Sequence, residues 1–216
     1  VGIRSPRKDR VGGLAQVDLL DGRLLVEGPI DGKTRFLASA RRSWVDAWID
    51  PYLALGGQSV RTSPRYWDGQ AVLERDFGSR TTGRLLFFGS DDRMALFIDS
   101  PGAGDPAFSG SFAQHVRFWR TQVRFDTRID DDTRWLNMVS YGRNAESVTI
   151  GDNRVETSLP IVNARSDLRA RLARGLNAVV GLDAMWIGYD VSISFPAVVG
   201  DDPTGPFFGR PVRKIH

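Results

Sequence analysis

Arg23-Leu-Leu-Val-Glu-Gly-Pro-Ile-Asp-Gly-Lys-Thr-Arg-Phe-Leu-Ala-Ser-Ala-Arg-Arg-Ser-Trp44 is the stretch whose reading decides the fold. Two extended runs meet at a tight turn. Gly28-Pro29 ends the first, because Pro29 has no N–H to give a ladder and holds its own φ fixed. Asp31-Gly32 is a hairpin signal, with Gly32 expected to take positive φ at little cost. Beyond the turn Phe36, Ala38 and Ala40 point one way, and Arg35, Ser39 and Arg41 the other. A soluble sandwich strand alternates like this with its polar side in bulk water. The wall of an outer-membrane barrel does so with lipid outside and a wet lumen inside. Alternation alone leaves both open, so strand length and turn placement have to decide.

Outward from this hairpin, residues 1–13 read as a basic loop, and the first extended segment runs from Leu14 to Ile30, interrupted at Asp21-Gly22. The second, Thr34 to Ile49, is followed by a long Pro- and Gly-containing connection over 50–64. A third strand, Arg65 to Asp76, sets Trp67, Gly69, Ala71 and Leu73 against Asp68, Gln70 and Glu74. The fourth, Arg84 to Ile98, opens with Leu85-Leu-Phe-Phe88, which hides its faces. A second long connection covers 101–110. In the fifth strand, Ser111 to Ile129, Val116 and Phe118 share a phase opposite to Thr121, Val123 and Phe125, so a bulge is expected near Trp119. The sixth spans Arg134 to Ile150. The seventh, Val155 to Ala173, sets Ala164, Ser166, Leu168, Ala170 and Leu172 against Arg165, Asp167, Arg169 and Arg171. The eighth, Asn177 to Val198, alternates Val180, Leu182, Ala184 and Trp186 with Gly181 and Asp183. Residues 199–216 read as a loop.

The expected fold is therefore all-β: one unit over 1–216, an antiparallel up-and-down meander of about eight long strands with no helix. Several strands exceed the usual five or six residues and the nine to eleven that cross a bilayer. Short turns at Asp31-Gly32, 78–83, 130–133 and 174–176 lie at one rim, and the longer loops at the other, apart from a short one at 151–153. That is the outer-membrane arrangement. A soluble β-sandwich binding domain, with tryptophans as carbohydrate platforms, and a small complete eight-stranded barrel are the alternatives.

Composition is compatible with this. The chain has 216 residues, 41% hydrophobic, and no Cys; mean hydropathy is −0.26. No apolar run is long enough for a transmembrane helix, which leaves barrels untouched. Without Cys there is neither a disulfide framework nor a thiolate metal site. Of the 29 Lys and Arg residues only Lys8, Lys33 and Lys214 are lysine. The arginines are scattered along strands, unlike a nucleic-acid footprint, so nucleic acid is not an expected partner. The chain opens at Val1 without an initiating Met or a signal peptide, and an internal piece or trimmed product is expected.

Leu24-Leu-Val-Glu-Gly-Pro-Ile30, Phe36-Leu-Ala-Ser-Ala-Arg-Arg-Ser-Trp-Val-Asp46, Tyr66-Trp-Asp-Gly-Gln70 and Leu85-Leu-Phe-Phe-Gly-Ser-Asp-Asp92 together resemble barrel strands of TonB-dependent outer-membrane receptors. The likeness covers about 14–98 well and is weaker over 110–195, where Val180-Gly-Leu-Asp183 is the best echo. These are strand signatures, not catalytic motifs. The resemblance implies a 22-stranded barrel around an N-terminal plug, in the outer membrane of a Gram-negative bacterium. Such a receptor imports a scarce nutrient such as a metal chelate or glycan. It implies as partners the plug, the remaining strands, outer-membrane lipid and, through the plug, the TonB complex. This chain has no plug and no TonB box, and about eight strands cannot close so wide a barrel. A section of the wall is the expectation.

The candidate lumen-facing residues are Arg35, Arg41, Asp68, Gln70, Glu74, Arg165, Asp167, Arg169 and Asp183. Arg41 and Arg42 are weighed as contacts for a plug or an anionic substrate, against pairing of Arg41 with wall carboxylates. Arg165, Asp167, Arg169 and Arg171 read as a ladder matched across strands. Asp91 and Asp92, adjacent in a strand, face opposite sides and do not converge for acid–base work. Asp130-Asp-Asp132 lacks the spacing of a calcium loop. His115 and His216 are too far apart in sequence to suggest a metal site. No catalytic residue, cofactor or metal is expected. Trp44, Trp48, Trp67 and Trp186 are candidates for an aromatic girdle or for ordinary core.

Overall fold

The computed structural model describes residues 4–55, 60–62, 64–98, 110–151 and 153–195. Its strands are β1 (Gly12–Val17), β2 (Asp21–Pro29), β3 (Thr34–Ser43), β4 (Val60–Thr62), β5 (Arg65–Phe77), β6 (Thr81–Ile98), β7 (Gly110–Arg128), β8 (Thr133–Ile150), β9 (Asn153–Ala173), β10 (Leu176–Ile187) and β11 (Asp190–Ser194), with one helix, α1 (Val45–Leu55), after β3. All strands join one antiparallel sheet in the order β1-β2-β3-β5-β6-β7-β8-β9-β10. The fold is an all-β, up-and-down meander, and it is open: β1 and β10 end the path at opposite edges. The expected loops over 101–109 and 200–216 lie outside the described residues.

Eleven segments amount to nine strands, because two pairs are single strands interrupted by proline. β4 and β5 meet β6 in one unbroken register, Val60 opposite Ile98 and Arg65 opposite Arg93, with Pro64 in the gap. β10 and β11 likewise keep one register along β9, Ile187 opposite Ile161 and Asp190 opposite Ser158. Pro160 on β9 has no N–H to donate there. Only its carbonyl is used, accepting from the Gly188 N–H at 2.9 Å.

Four expectations are corrected. The run Leu14–Ile30 is two strands: the Asp18 carboxylate accepts from the N–H groups of Leu20 and Asp21, both at 2.9 Å, and turns the chain back. Among the described residues nine strands result where about eight were expected. Second, β3 stops at Ser43 and α1 follows. Trp44 and Trp48 stand one helical turn apart and donate to the carbonyls of Asp18 (3.0 Å) and Leu19 (3.1 Å), clamping the helix to the β1–β2 turn. The helix takes in Pro51, from the start of the expected connection over 50–64. Third, no bulge occurs near Trp119, since β7 keeps continuous register with β6 and β8. Its hydrophobic phase changes along an unbroken strand, with Thr121, Val123 and Phe125 on one face and Val116 and Phe118 on the other. Fourth, Gly32 does not adopt positive φ. The β2–β3 turn closes instead through Asp31, whose carboxylate accepts from Lys33 N–H (2.7 Å) and Thr34 N–H (2.8 Å). Left-handed glycines do serve the turns at Gly78 (φ 79°) and Gly175 (φ 81°).

The turn carboxylates carry a pH prediction. Backbone donation from Lys33 to Asp31, and from Asp132 to Asp130, holds both carboxyls below their ordinary value. A depressed folded-state pKa contributes stability that is complete above the unfolded carboxylate value, about 3.9, and is lost as pH falls through the lower folded value. Carboxyl-carbon NMR titrations should therefore place both midpoints below those of unstructured Asp. Midpoints at the ordinary value would sink the turn assignment.

The register divides the sheet into two unlike faces. On one lie Leu24 and Val26, then Phe36, Ala38 and Ala40, then Trp67, Ala71 and Leu73, then Leu85 and Phe87. The same face continues through Trp119, Thr121 and Val123, Val139 and Tyr141, Val162, Ala164 and Leu168, to Val180, Leu182, Ala184 and Trp186. Its large side chains are solvent-exposed: Leu182 72%, Val139 56%, Phe87 47%. The opposite face buries its charges, with Glu74 at 2%, Asp167 at 4% and Arg35 at 6%. A small apolar knot, Leu37, Val72 and Leu86 with Leu25 and Phe88, shares that side. Burial is thus inverted relative to a water-soluble sheet.

The short turns at 30–33, 78–80, 129–132 and 174–175 share one rim, called the near rim here. Across one registered row, Phe36 lies two residues in from Thr34, Ala164 nine in from Ala173 and Ala184 eight in from Leu176. The stagger is about 1–1.4 residues per strand. With a rise of about 3.3 Å and a strand spacing of about 4.8 Å, the strands tilt by roughly 35–45°. Counted the same way, Trp67 is ten residues from the near rim, Trp119 nine, Tyr141 eight and Trp186 ten. These aromatics sit at one height. Between them and the near rim the apolar face is about 20–25 Å tall at that tilt. At that height and just beyond it the same face turns polar, at Asp91, Arg143 and Arg117. The phase shift along β7 falls where this face changes from apolar to polar residues.

Candidate functional site

The polar face is the part of the molecule able to do chemistry, and its register places all nine candidates Arg35, Arg41, Asp68, Gln70, Glu74, Arg165, Asp167, Arg169 and Asp183 on it. They form separate groups. Near the near rim, Arg35 on β3 stands opposite Glu74 on β5, which stands opposite Arg84 on β6. Arg35 Nε donates to Glu74 Oε1 at 2.7 Å, and Arg84 Nε donates to Glu74 Oε2 at 2.7 Å. Arg35 also spans Asp76 (2.7 and 3.2 Å), which accepts from the Thr82 hydroxyl at 2.9 Å. A buried carboxylate held between two guanidiniums keeps its charge only because each remaining lone pair is occupied.

Two of these partners escaped the sequence reading. Asp76 continues the alternation of Asp68, Gln70 and Glu74, so its face could have been read. Arg84 is hidden by the Leu85–Phe88 run. The amino-terminal segment was also missed, because nothing in a basic loop says which face it crosses. Arg4 bonds Glu27 at 2.5 Å, Ser5 donates to Glu74 at 3.2 Å and accepts from Arg84 at 2.6 Å, and Lys8 lies 3.8 Å from Asp76. Residues 4–8 are thereby tied across the polar face.

Higher on the same face, Arg41 Nε donates to Asp68 at 2.6 Å and its guanidinium stacks over Tyr66 at 4.8 Å. Tyr66 in turn donates to Asp21 at 2.6 Å. Arg42 points to the other face, over Trp67 at 4.7 Å. Gln70 lies in the register between Ser39 and Phe88. On β9, Asp167 is flanked along its own strand by Arg165 (3.0 Å) and Arg169 (3.8 Å), and Arg165 reaches across to Asp183 at 3.6 Å. Arg171 pairs with Asp132. The expected cross-strand matching is thus mixed. Arg169 stands directly opposite Arg134, itself opposite Arg128, and Arg84 opposite Arg124, an arrangement of like charges that costs stability unless an anion intervenes. Arg84, Arg124, Arg128 and Arg134, with Lys8 and Arg80, line much of a cleft of about 540 Å³ above the near-rim turns.

The remaining motifs are accounted for locally. Asp91 lies 3.0 Å from His115 Nε2 and accepts from Arg93 Nε at 2.9 Å, while Asp92 accepts from Ser90 at 3.0 Å. They face opposite sides. Asp130 accepts from Asp132 N–H at 2.9 Å and closes its own turn. His216 lies outside the described residues. Among the described residues no group of three or more His, Asp or Glu could hold a metal ion. Of the girdle candidates, Trp67 and Trp186 lie on the apolar face at a common height, joined by Trp119 and Tyr141, whereas Trp44 and Trp48 belong to the helix clamp. No protein-family model matches the chain, and no curated protein matches it.

Proposed function

We propose that this chain is a section of the wall of a TonB-dependent outer-membrane receptor, a transporter importing a scarce nutrient such as a metal chelate or glycan. One observation carries the membrane part: a continuous apolar face stands exposed while the opposite face buries Glu74, Asp167 and Arg35. A lipid-facing wall around a polar interior has this pattern, with strands tilted about 35–45° and an apolar band about 25 Å tall between aromatic girdles. The tilt and band height found here match both figures. The receptor assignment rests on the quoted strand motifs and on the open edges. An unpaired edge is an aggregation hazard, so β1 and β10 are expected to pair with further strands of the same barrel. The interior of an eight-stranded barrel is just wide enough for side chains, too narrow for Arg35, Arg84, Arg124, Arg134 and Arg169 together. On this reading the partners are outer-membrane lipid, the plug and, through it, the TonB complex.

A nitroxide scan along β7 in the full-length protein in bilayers tests this. Labels at 121, 123 and 125 should collide with oxygen dissolved in lipid, and labels at 120, 122 and 124 with a water-soluble nickel chelate. A sandwich would hide the odd positions from both reagents, and that result would reject the membrane wall.

A further inference from the structure

On the apolar face, at the upper edge of the aromatic row, two arginines lack carboxylate partners among the described residues. Arg117 on β7 stands opposite Asp91, but Asp91 is already taken by Arg93 (2.9 Å) and His115 (3.0 Å). Arg143 on β8 stands opposite Trp119 and uses only Nε, donating to Ser158 at 2.6 Å. Both line a cleft of about 400 Å³ floored by Trp119. Its acidic groups lie at the end away from the apolar band: Glu146, which accepts from Gln114 at 2.8 Å, Glu156, paired with Arg154, and Asp190. The end bordering the band is therefore cationic, with two free guanidinium forks and an indole.

We propose that this cleft binds the phosphorylated headgroup of a lipid whose acyl chains lie along the band below. The inference rests on the membrane-wall reading. A guanidinium presents a planar fork of donors that matches phosphate oxygens bidentately. Trp119 belongs at the depth where chains give way to headgroups. Nine to eleven residues span a bilayer; Arg143 is ten residues from the near rim and Arg117 eleven, which places both at headgroup height. The geometry favours a lipid source over free phosphate because the cationic end opens directly onto apolar surface that only acyl chains would cover.

The test is titration of the detergent-solubilised full-length protein with a phosphorylated glycolipid, its dephosphorylated form and inorganic phosphate. The phosphorylated lipid should bind at least about tenfold more tightly than the dephosphorylated one, and R117Q/R143Q should abolish that preference. R117K/R143K should restore it in part, which a merely structural role would not. Tight binding of inorganic phosphate alone would overturn the lipid assignment. Equal binding of both lipids, or an undiminished preference in R117Q/R143Q, would overturn the site. A nitroxide at 123 that oxygen in the lipid reaches keeps the wall reading intact in either case, so the two failures are distinguishable. Arg117 makes no hydrogen bond or ion pair among the described residues, so its loss should not unfold the sheet.

Discussion

Val123→Arg is expected to destabilise the full-length protein in bilayers by about 2–4 kcal/mol, the cost of a cation near the midplane on a lipid-facing strand. Val123 lies five residues in from Arg128, midway up the apolar band, and is 42% exposed. Gln122→Glu, one residue away on the polar face among Arg84, Arg120 and Arg124, should change stability by no more than about 0.5 kcal/mol. Equilibrium unfolding from lipid vesicles measures both. The contrast discriminates sharply, because on a water-soluble sheet a residue as exposed as Val123 would accept Arg within about 0.5 kcal/mol. Similar small effects at both positions would remove the membrane reading altogether.

Glu74→Ala should cost about 3–5 kcal/mol, since it strands Arg35 and Arg84 beside an uncompensated cavity. The side chains of Glu74 and Arg35 are 3% and 7% exposed, so solvent screening offers little relief. Glu74→Gln should lie between, because the amide oxygen still accepts from one guanidinium. Replacing Arg35 as well should give a clearly non-additive double-mutant cycle, as expected for groups in one network. A loss under about 1 kcal/mol for Glu74→Ala would mean that the cluster behaves as a surface pair in open water, and the barrel interior would then have to be strongly hydrated at that height.

Much of this was legible in the residues. The period-two pattern over Arg35–Arg41, Trp67–Glu74 and Ala164–Leu172 assigns faces wherever polar and apolar residues strictly alternate, because a strand's side chains can point only two ways. The pattern fell silent at Leu85-Leu-Phe-Phe88 and over β8, where both faces carry apolar residues. There only pairing settled the matter: Phe88 joins the knot on the polar face and meets Phe118 edge-on at 6.0 Å, while Phe87 stands exposed on the other. Local rules misled where a side chain replaced the backbone's own solution, as when the Asp31 carboxylate closed a turn expected of Gly32, or the Trp44 and Trp48 indoles held a helix containing Pro51.

The sequence by itself determined that the chain is antiparallel β, which rim carries the short turns and, wherever polar and apolar residues alternate, which residues of a strand point to opposite faces. Only the tertiary structure decided the register, and with it everything that depends on comparing strands: the tilt, the common height of Trp67, Trp119, Tyr141 and Trp186, the Arg35–Glu74–Arg84 row, and the isolation of Arg117 from Asp91. The physical reason is that alternation is a property of one strand, read within a few residues. Height and charge pairing depend on the offset between strands, which arises from hydrogen bonds joining residues far apart in the chain.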